Sequence, residues 1–198
     1  YGLYRSVRGG SEYNYHSDND WFIRVCEPYA KKYPQNIGLY RMLIEAMVSK
    51  KYFDRAEELL AAVKFNGENK SMKEVFLGDI ALAKGDVAKA KEIWNRIPKK
   101  DWLGQYEAGE RFNRLNDYDR AIECFNNAYE AQEPPKAMDM MYSLAFLYKK
   151  LGRFAEAKKE WELIIAGLIS DYGMDEDNND IAWAKDEIAQ LKKLLGEA

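Results

Sequence analysis

The apolar positions of the chain recur in a pattern that repeats along most of its length. In the stretch LGRFAEAKKEW at 151–161, an alanine stands three residues after one large apolar side chain and four residues before another. Aligned copies place this alanine at Ala56, Ala90, Ala121 and Ala157, at spacings of 34, 31 and 36 residues. The large residues around it follow the period of an α-helix. The pattern therefore predicts a helical repeat in four copies.

Each copy is predicted to form a hairpin of two antiparallel helices. Four residues after the alanine, the second helix carries Leu60, Trp94, Phe125 and Trp161. Twelve residues before it, the first helix carries Ile44, Gly78, Gly109 and Ala145. Because a small residue lets two helix axes approach to about 8–10 Å, we expect the small residue of the first helix to face the alanine of the second. Ile44 departs from this rule, so the first copy is the least regular.

The turn inside each hairpin needs a residue that ends the first helix. Gly85, Asn116 and Gly152 suit the left-handed conformation that does so, whereas Lys51 at the same place suits it less well. Pro98 is expected to shorten the second helix of the second copy, because proline cannot continue a helix. We therefore expect a local change in the pitch of the array near Pro98.

Two further helices are predicted outside the four copies. The residues from Asp18 indicate a capped helix that ends at Pro34, with a kink or a restart at Pro28. Near the other end, one apolar stripe with polar residues opposite predicts a capping helix at about 179–195. Residues 1–17 are interpreted as an extended N-terminal segment.

These aligned columns resemble the tetratricopeptide repeat (TPR) family over about residues 37–170. The resemblance implies an all-α fold, a right-handed α-solenoid of antiparallel helix hairpins (the TPR superhelix) with a C-terminal capping helix. A single solenoid domain is predicted at 18–198. Its repeats are assigned to about 37–70, 71–101, 102–136 and 138–171.

In the TPR family the first helix of each repeat lines the concave face, which implies a peptide-binding groove. Methionine and aromatic side chains beside carboxylates would suit an apolar peptide that carries basic residues. The alternative that these side chains pack between repeats stays open. A clamp of the Lys, Asn and Arg type, which holds the carboxylate of chaperone tails, is not supported. The residues predicted to line the groove are Arg41, Met42, Glu45, Met72, Val75, Phe76, Asp79, Leu103, Tyr106, Glu107, Glu110, Asp139, Tyr142, Ser143 and Phe146.

Composition narrows the classes of partner. Thirty Lys and Arg residues against 33 Asp and Glu give a formal charge of −3, and no basic block occurs, so direct nucleic-acid binding is not expected. No apolar run approaches the length of a membrane span and no secretory signal is visible, so we predict no membrane contact and a cytoplasmic location. Cys26 and Cys124 are expected to be reduced thiols, and His16 is the single histidine.

Sites of catalysis or metal binding are not expected. Residues 175–186 alternate acidic and amide side chains as a calcium loop does, but Asp180 stands where that loop needs glycine and Asp186 where it needs glutamate. We interpret this run as an acidic linker that caps the last helix. No phosphate-binding loop or nucleophile motif occurs. The chain is therefore predicted to have no metal, no cofactor and no enzymatic activity.

Two functions of different classes follow from the repeats. The first is a scaffold that binds a protein or peptide, with self-association of the chain as an open possibility. The second is a sensor or oligomerisation module of a larger regulator, because the tail from Trp161 through Trp183 to Leu191 resembles the repeat regions of bacterial XRE-type helix-turn-helix regulators. The chain begins at Tyr1 without methionine, so we interpret it as a fragment. The sequence upstream would separate the two hypotheses.

A further hypothesis concerns residues 1–16, which combine aromatic anchors with Arg5 and Arg8. We expect this segment to dock in a concave surface, its own or a neighbour's, with a cation near Glu107, Glu110 or Asp79. The alternative is a flexible leader or linker. Its ring-bearing anchors are Tyr1, Tyr4, Tyr13, Tyr15 and His16.

Overall fold

The computed structural model describes residues 19–197, and this part of the chain is built from helices. No strand occurs between Asn19 and Glu197, which confirms the all-α prediction. Residues 1–18, and with them the hypothesis on the docking of residues 1–16, lie outside the described residues. The helices are α1 (Asn19–Lys32), α2 (Ile37–Ser49), α3 (Phe53–Ala61), α4 (Met72–Ala83), α5 (Val87–Asn95), α6 (Trp102–Arg114), α7 (Tyr118–Glu130), α8 (Asp139–Lys150), α9 (Phe154–Ser170) and α10 (Asn179–Leu195), with a short 3₁₀ turn at Gly67–Asn69.

The ten helices pack as four consecutive hairpins with one flanking helix at each end. The hairpins are α2–α3, α4–α5, α6–α7 and α8–α9, and neighbouring hairpins contact each other through α2 and α4, α4 and α6, and α7 and α8. Helix α1 packs on α2, and α10 packs on α9. Each hairpin thus buries its apolar face against the next, which is the arrangement of an α-solenoid.

In the second and third hairpins, the glycine on the first helix receives an aromatic ring of the second helix. A Cβ atom added to Gly78 would lie 2.0 Å from Nε1 of Trp94, and one added to Gly109 would lie 2.7 Å from a ring carbon of Phe125. Both rings are fully buried. The alignment predicts that the small residue faces the aligned alanine, and the atoms nearest to these two glycines belong to the ring four residues after that alanine. A glycine is needed at these two positions because the aromatic ring of the second helix occupies the space of a side chain there.

All four hairpin turns use a left-handed residue, as the alignment predicts for three of them. The φ angles are 89° at Gly85, 59° at Asn116 and 72° at Gly152, and Lys51 also adopts a φ of 60°. The following amide then donates to the carbonyl five residues earlier, as between Tyr52 N and Met47 O at 2.8 Å. This bond satisfies a carbonyl that the end of the helix leaves unpaired.

The joint between the second and third hairpins has a buried polar centre. Helix α5 ends at Asn95, before Pro98, as expected, and Gly104 approaches the loop so closely that a Cβ there would lie 2.7 Å from Ile97. Asp101 is buried, accepts a hydrogen bond from the Ser71 hydroxyl, and accepts another from the Gly104 amide at 3.2 Å. The short α5 therefore leaves a gap between hairpins that polar side chains fill.

Two details of helix length differ from the sequence prediction. Helix α1 continues through Pro28 to Lys32, so no restart occurs there. Pro28 and Arg24, whose carbonyl loses its helical donor, are both exposed, so water can satisfy that carbonyl. Helix α3 is as short as α5, at nine residues each, although no proline follows it.

Replacing Lys51 by glycine should stabilise the protein. Relief of the left-handed strain outweighs the greater freedom of the unfolded chain, and we expect a net gain of about 0.5–1 kcal/mol in the free energy of unfolding. The reverse change at the equivalent turn, Gly85→Lys, should cost about 1 kcal/mol or more. Urea denaturation of both variants checks the pair, and a loss of stability in Lys51→Gly would contradict the argument.

The substitution Ala121→Arg should be among the most damaging single changes. Ala121 is fully buried where α7 crosses α6, so a long charged side chain would overpack the crossing and bury its charge. The expected cost is about 3 kcal/mol or more. Ala88→Arg, at an exposed position of α5, is the matched control and should melt like the unmodified protein in circular dichroism.

Candidate functional site

The first helices of the repeats lie side by side and form what we call the inner surface. Helix α2 contacts α4, α4 contacts α6, and the Ser143 hydroxyl on α8 donates to Glu110 on α6 at 2.9 Å. Helix α10 continues this surface, because Trp183 stacks on Tyr142 of α8 with ring centroids 5.7 Å apart. The inner surface therefore extends from α2 to α10.

Three of the predicted groove residues are not available to a ligand. Met72, Val75 and Phe76 on α4 are each no more than 1% exposed. The Phe76 ring packs against Phe65, and the Arg41 guanidinium lies 5.9 Å from its centroid. These side chains fill the space between repeats, so the packing alternative is correct for them. Tyr106 is also largely enclosed, with its ring 6.0 Å from that of Phe125.

A buried ionic network crosses the middle of the inner surface. Arg111 on α6 is only 5% exposed and holds Asp79 on α4 with two parallel hydrogen bonds, Nε to Oδ1 at 2.8 Å and Nη2 to Oδ2 at 2.7 Å. Its Nη1 also donates to the Glu107 carboxylate. Arg41 on α2 reaches the same carboxylate, with 2.6 Å between Nη2 and Oε1. The network links three successive repeats.

Glu107 and Arg111 are each held in the charged form. Burial opposes ionisation of Glu107, but Arg111 and Arg41 outweigh it, so the pKa of that carboxyl lies below its usual range. Burial likewise opposes the charge on Arg111, yet Asp79 and Glu107 raise its pKa. The two carboxylates are already paired with cations of the chain itself. They do not supply free acids for a basic ligand, contrary to our expectation for Asp79 and Glu107.

Sequence reasoning missed Arg111, the centre of the network. The available signal was local: Arg111 follows Glu107 by four residues, a spacing at which opposite charges meet on one helix face. Its bidentate bond with Asp79 joins residues 32 positions apart and depends on the packing of α6 beside α4.

A cluster of aromatic rings, which we call the aromatic patch, lies at the α8–α10 end of the inner surface. It consists of Tyr142, Phe146 and Trp183, which surround the buried Trp161. The centroids of Trp161 and Trp183 are 4.9 Å apart, and those of Phe146 and Trp183 are 6.0 Å apart. Phe146 is 46% exposed and Trp183 is 42% exposed. Large apolar rings therefore face solvent on a surface that is otherwise mostly paired or enclosed.

Two acidic side chains border the aromatic patch. Asp139 and Asp180 stand one helical turn before Tyr142 and Trp183, so each neighbours one of these rings on its own helix. Burial raises the pKa of the Tyr142 hydroxyl, and the negative charges of Asp180 and Asp139 raise it further. Both are exposed, and neither forms an ion pair within residues 19–197. The patch thus combines apolar faces with unpaired negative charge.

The remaining predicted groove residues lie on α2 and α6. Met42 and Glu45 are exposed on α2, and Leu103 is half-buried on α6. Glu110 accepts the hydrogen bond from Ser143. These side chains thus belong to the helices that form the inner surface, and they are not members of the aromatic patch.

Other chemistry is sparse in the part of the chain that the structure describes. Between residues 19 and 197, no three His, Cys, Asp or Glu side chains are arranged to hold a metal ion. Within the same range, no helix has both the length and the apolar character needed to cross a membrane. Cys26 and Cys124 are free, and burial raises the pKa of the Cys124 thiol to about 11, so it is an unreactive thiol.

Replacing Arg111 by alanine should strongly destabilise the protein at neutral pH. The change leaves the partly buried Asp79 and Glu107 without their main cation, and breaking a buried pair in this way costs about 3–5 kcal/mol. In the unmodified protein the lowered pKa of Glu107 adds stability that is present above its unfolded pKa and is lost as the pH falls through the folded value. The difference between Arg111→Ala and the unmodified protein should therefore shrink at acidic pH, as Glu107 becomes protonated.

Urea denaturation at neutral and at acidic pH measures this effect. Arg114→Ala, at an exposed position on the same helix, is the control and should cost little at either pH. An Arg111→Ala penalty that does not change with pH would show that packing and not charge accounts for the loss.

Comparisons with known proteins agree with this architecture. Residues 103–134 and 139–163, which cover most of α6–α7 and α8–α9, match the family model described as a tetratricopeptide repeat. No curated protein sequence matches the chain. The resemblance to XRE-type regulators has no support among these comparisons and stays a prediction.

Solved structures of TPR-like proteins are similar in fold. A putative kinesin light chain from Podosopora anserina with nearly identical TPR-like repeats is 18% identical, with 88% of this chain and 87% of that chain covered and a TM-score of 0.53. BtubC (BKLC) from P. vanneervenii is 14% identical, with 91% and 83% covered and a TM-score of 0.54. At these identities the likeness concerns the fold alone. Residues 103–134 and 139–163 therefore match tetratricopeptide repeats, and the chain has the fold of a TPR-like solenoid.

Proposed function

We propose that this protein is a scaffold that binds a protein or peptide on its inner surface, with the aromatic patch as the main contact. The observation that supports the proposal most directly is the exposure of Phe146 and Trp183 side by side in one aromatic cluster. Exposed aromatic side chains that form one cluster are typical of the residues that supply most of the binding energy at interfaces.

The chemistry of the patch favours an apolar ligand segment with a lysine or arginine. The face of an indole or phenyl ring attracts a cation, and Asp139 and Asp180 can accept charge-assisted hydrogen bonds beside it. An arginine guanidinium could stack on Trp183 and reach either carboxylate. The acids that take part are thus those at the α8–α10 end, because Asp79 and Glu107 are paired with Arg111.

The proposal assigns no catalytic step to the chain, since TPR scaffolds act by binding. It also includes a cytoplasmic location. The two free cysteines are consistent with a reducing compartment.

Selection of peptides from a displayed random library would test the proposal. The full chain should enrich peptides in which an arginine or lysine stands near aromatic or aliphatic residues. A synthetic peptide of residues 1–16, which has this chemistry, is a defined second probe. Trp183→Ala should weaken binding of the enriched peptides by about 30-fold, as expected for a residue at the centre of a contact.

Two matched variants make the result specific. Asp139→Asn combined with Asp180→Asn should weaken the binding of basic peptides and leave uncharged ones unaffected. Asp54→Asn replaces an exposed acidic residue on α3 and should change the binding of neither the basic nor the uncharged peptides. The proposal fails if the library yields no enriched sequence, or if Trp183→Ala binds the enriched peptides as tightly as the unmodified chain.

A further inference from the structure

Helix α1 carries an apolar stripe on the face that points away from the repeats. Trp21, Val25 and Tyr29 follow one another at four-residue spacing and therefore stand in one row along the helix. Tyr33 comes directly after the end of α1, and its ring stacks on that of Tyr29 with centroids 6.2 Å apart. All four are exposed, with 53% of Trp21 and 60% of Tyr29 accessible to solvent. The opposite face of α1, around Ile23, is fully buried against the first hairpin.

The two ends of the described solenoid differ in this respect. Most exposed side chains of α10 are polar, with Leu194 as an apolar exception, and a terminal element of a repeat array needs such a face if that end faces water. Its exposed side chains include Lys185, Asp186, Gln190, Lys192 and Lys193. The outer face of α1 instead presents three aromatic rings. The exposed apolar stripe on α1 is therefore typical of a surface that a partner covers.

We propose that the α1 stripe is the interface through which two copies of this chain associate, with the two α1 helices antiparallel about a twofold axis. A row of side chains at four-residue spacing is the ridge that enters the groove of a second helix in the most common crossing geometry. In the antiparallel arrangement Trp21 of each copy lies beside Tyr33 of the other, and Val25 lies beside Tyr29. Both copies thereby use the same surface, as a twofold interface requires.

Charge along α1 favours the antiparallel arrangement. Lys31 and Lys32 stand at the C-terminal end, and the Lys32 ammonium lies 5.4 Å from the centroid of the Tyr33 ring. Antiparallel pairing brings Lys32 of each copy to the Trp21 indole of the other, where a cation is attracted to the ring face. Parallel pairing would bring the lysines of both copies together and align the two helix dipoles.

The size of the stripe fits a weak dimer. Aromatic side chains bury about 150–250 Å² each when fully enclosed, and three of them per copy are roughly half exposed here. With the flanking residues the pair would bury on the order of 1,000 Å², the lower limit for a specific interface. A dissociation constant on the order of 10 µM is therefore expected.

Sedimentation equilibrium of the full chain over about 1–200 µM tests the proposal, because this range spans the expected dissociation constant. The unmodified chain should change from monomer to dimer. Tyr29→Glu should weaken the dimer by at least about tenfold, since it places a charge in the centre of the contact. Leu194→Glu, at an exposed apolar position of α10, is the control and should leave the dimer unchanged. Circular dichroism should show the same melting temperature for both variants and the unmodified chain.

The orientation has its own test, in a Cys26→Ser background. Val25→Cys combined with Tyr29→Cys should form disulfides between copies on oxidation, whereas Val25→Cys alone should not. A parallel pair would give the opposite result for the single variant and would overturn the antiparallel model.

Three results would overturn the proposal as a whole. They are a chain that stays monomeric over the full concentration range, a dimer that Tyr29→Glu does not weaken, and a monomer that becomes a dimer only when residues 1–18 are deleted. The last would assign the stripe to the chain's own N-terminal segment. Peptide binding on the inner surface does not involve α1, so these outcomes are independent of the function proposed above.

Discussion

The rest of the structure depends on how an aromatic ring fits over a small residue inside each regular hairpin. Trp94 lies over Gly78 and Phe125 over Gly109, so closely that a single added carbon atom would overlap the ring. This contact sets the distance between the two helices of a hairpin. Since every hairpin buries its apolar face against the next, the same distance also determines how the first helices line up. The inner surface exists because these first helices are held side by side.

Along the inner surface, the charged side chains in the middle and the aromatic rings at one end have different environments. In the middle, Arg111 forms hydrogen-bonded ion pairs with Asp79 and Glu107. Such a network links neighbouring repeats, but its charges are already matched. At the α8–α10 end, the rings of Phe146 and Trp183 remain exposed beside carboxylates that have no cation within residues 19–197. The binding site that we propose therefore lies at the α8–α10 end of the inner surface.

Much of the fold could be predicted because its determinants are local and periodic. The left-handed turns at Gly85, Asn116 and Gly152 follow from residue types that tolerate a positive φ, and the strain at Lys51 was visible as the exception. The end of helix α5 before Pro98 follows from the fact that proline cannot continue a helix. The short α3 could not be predicted in the same way, because no residue after it forbids a helix and its end depends on how the loop around Phe65 packs into the core.

The sequence by itself determined the helical repeat, the positions of the hairpins and the residues that face inward, because each of these depends on the 3.6-residue period and on turn chemistry within about 34 residues. Only the tertiary structure decided which inner residues a ligand can reach. Met72, Val75 and Phe76 lie on the first helix of their repeat, as the exposed Met42 does in the first repeat. Neighbouring hairpins nevertheless enclose all three. The pairing of Arg111 with Asp79 and the meeting of Trp183 with Tyr142 likewise join residues that are distant along the chain. Such contacts depend on the relative placement of whole helices, which no local pattern records.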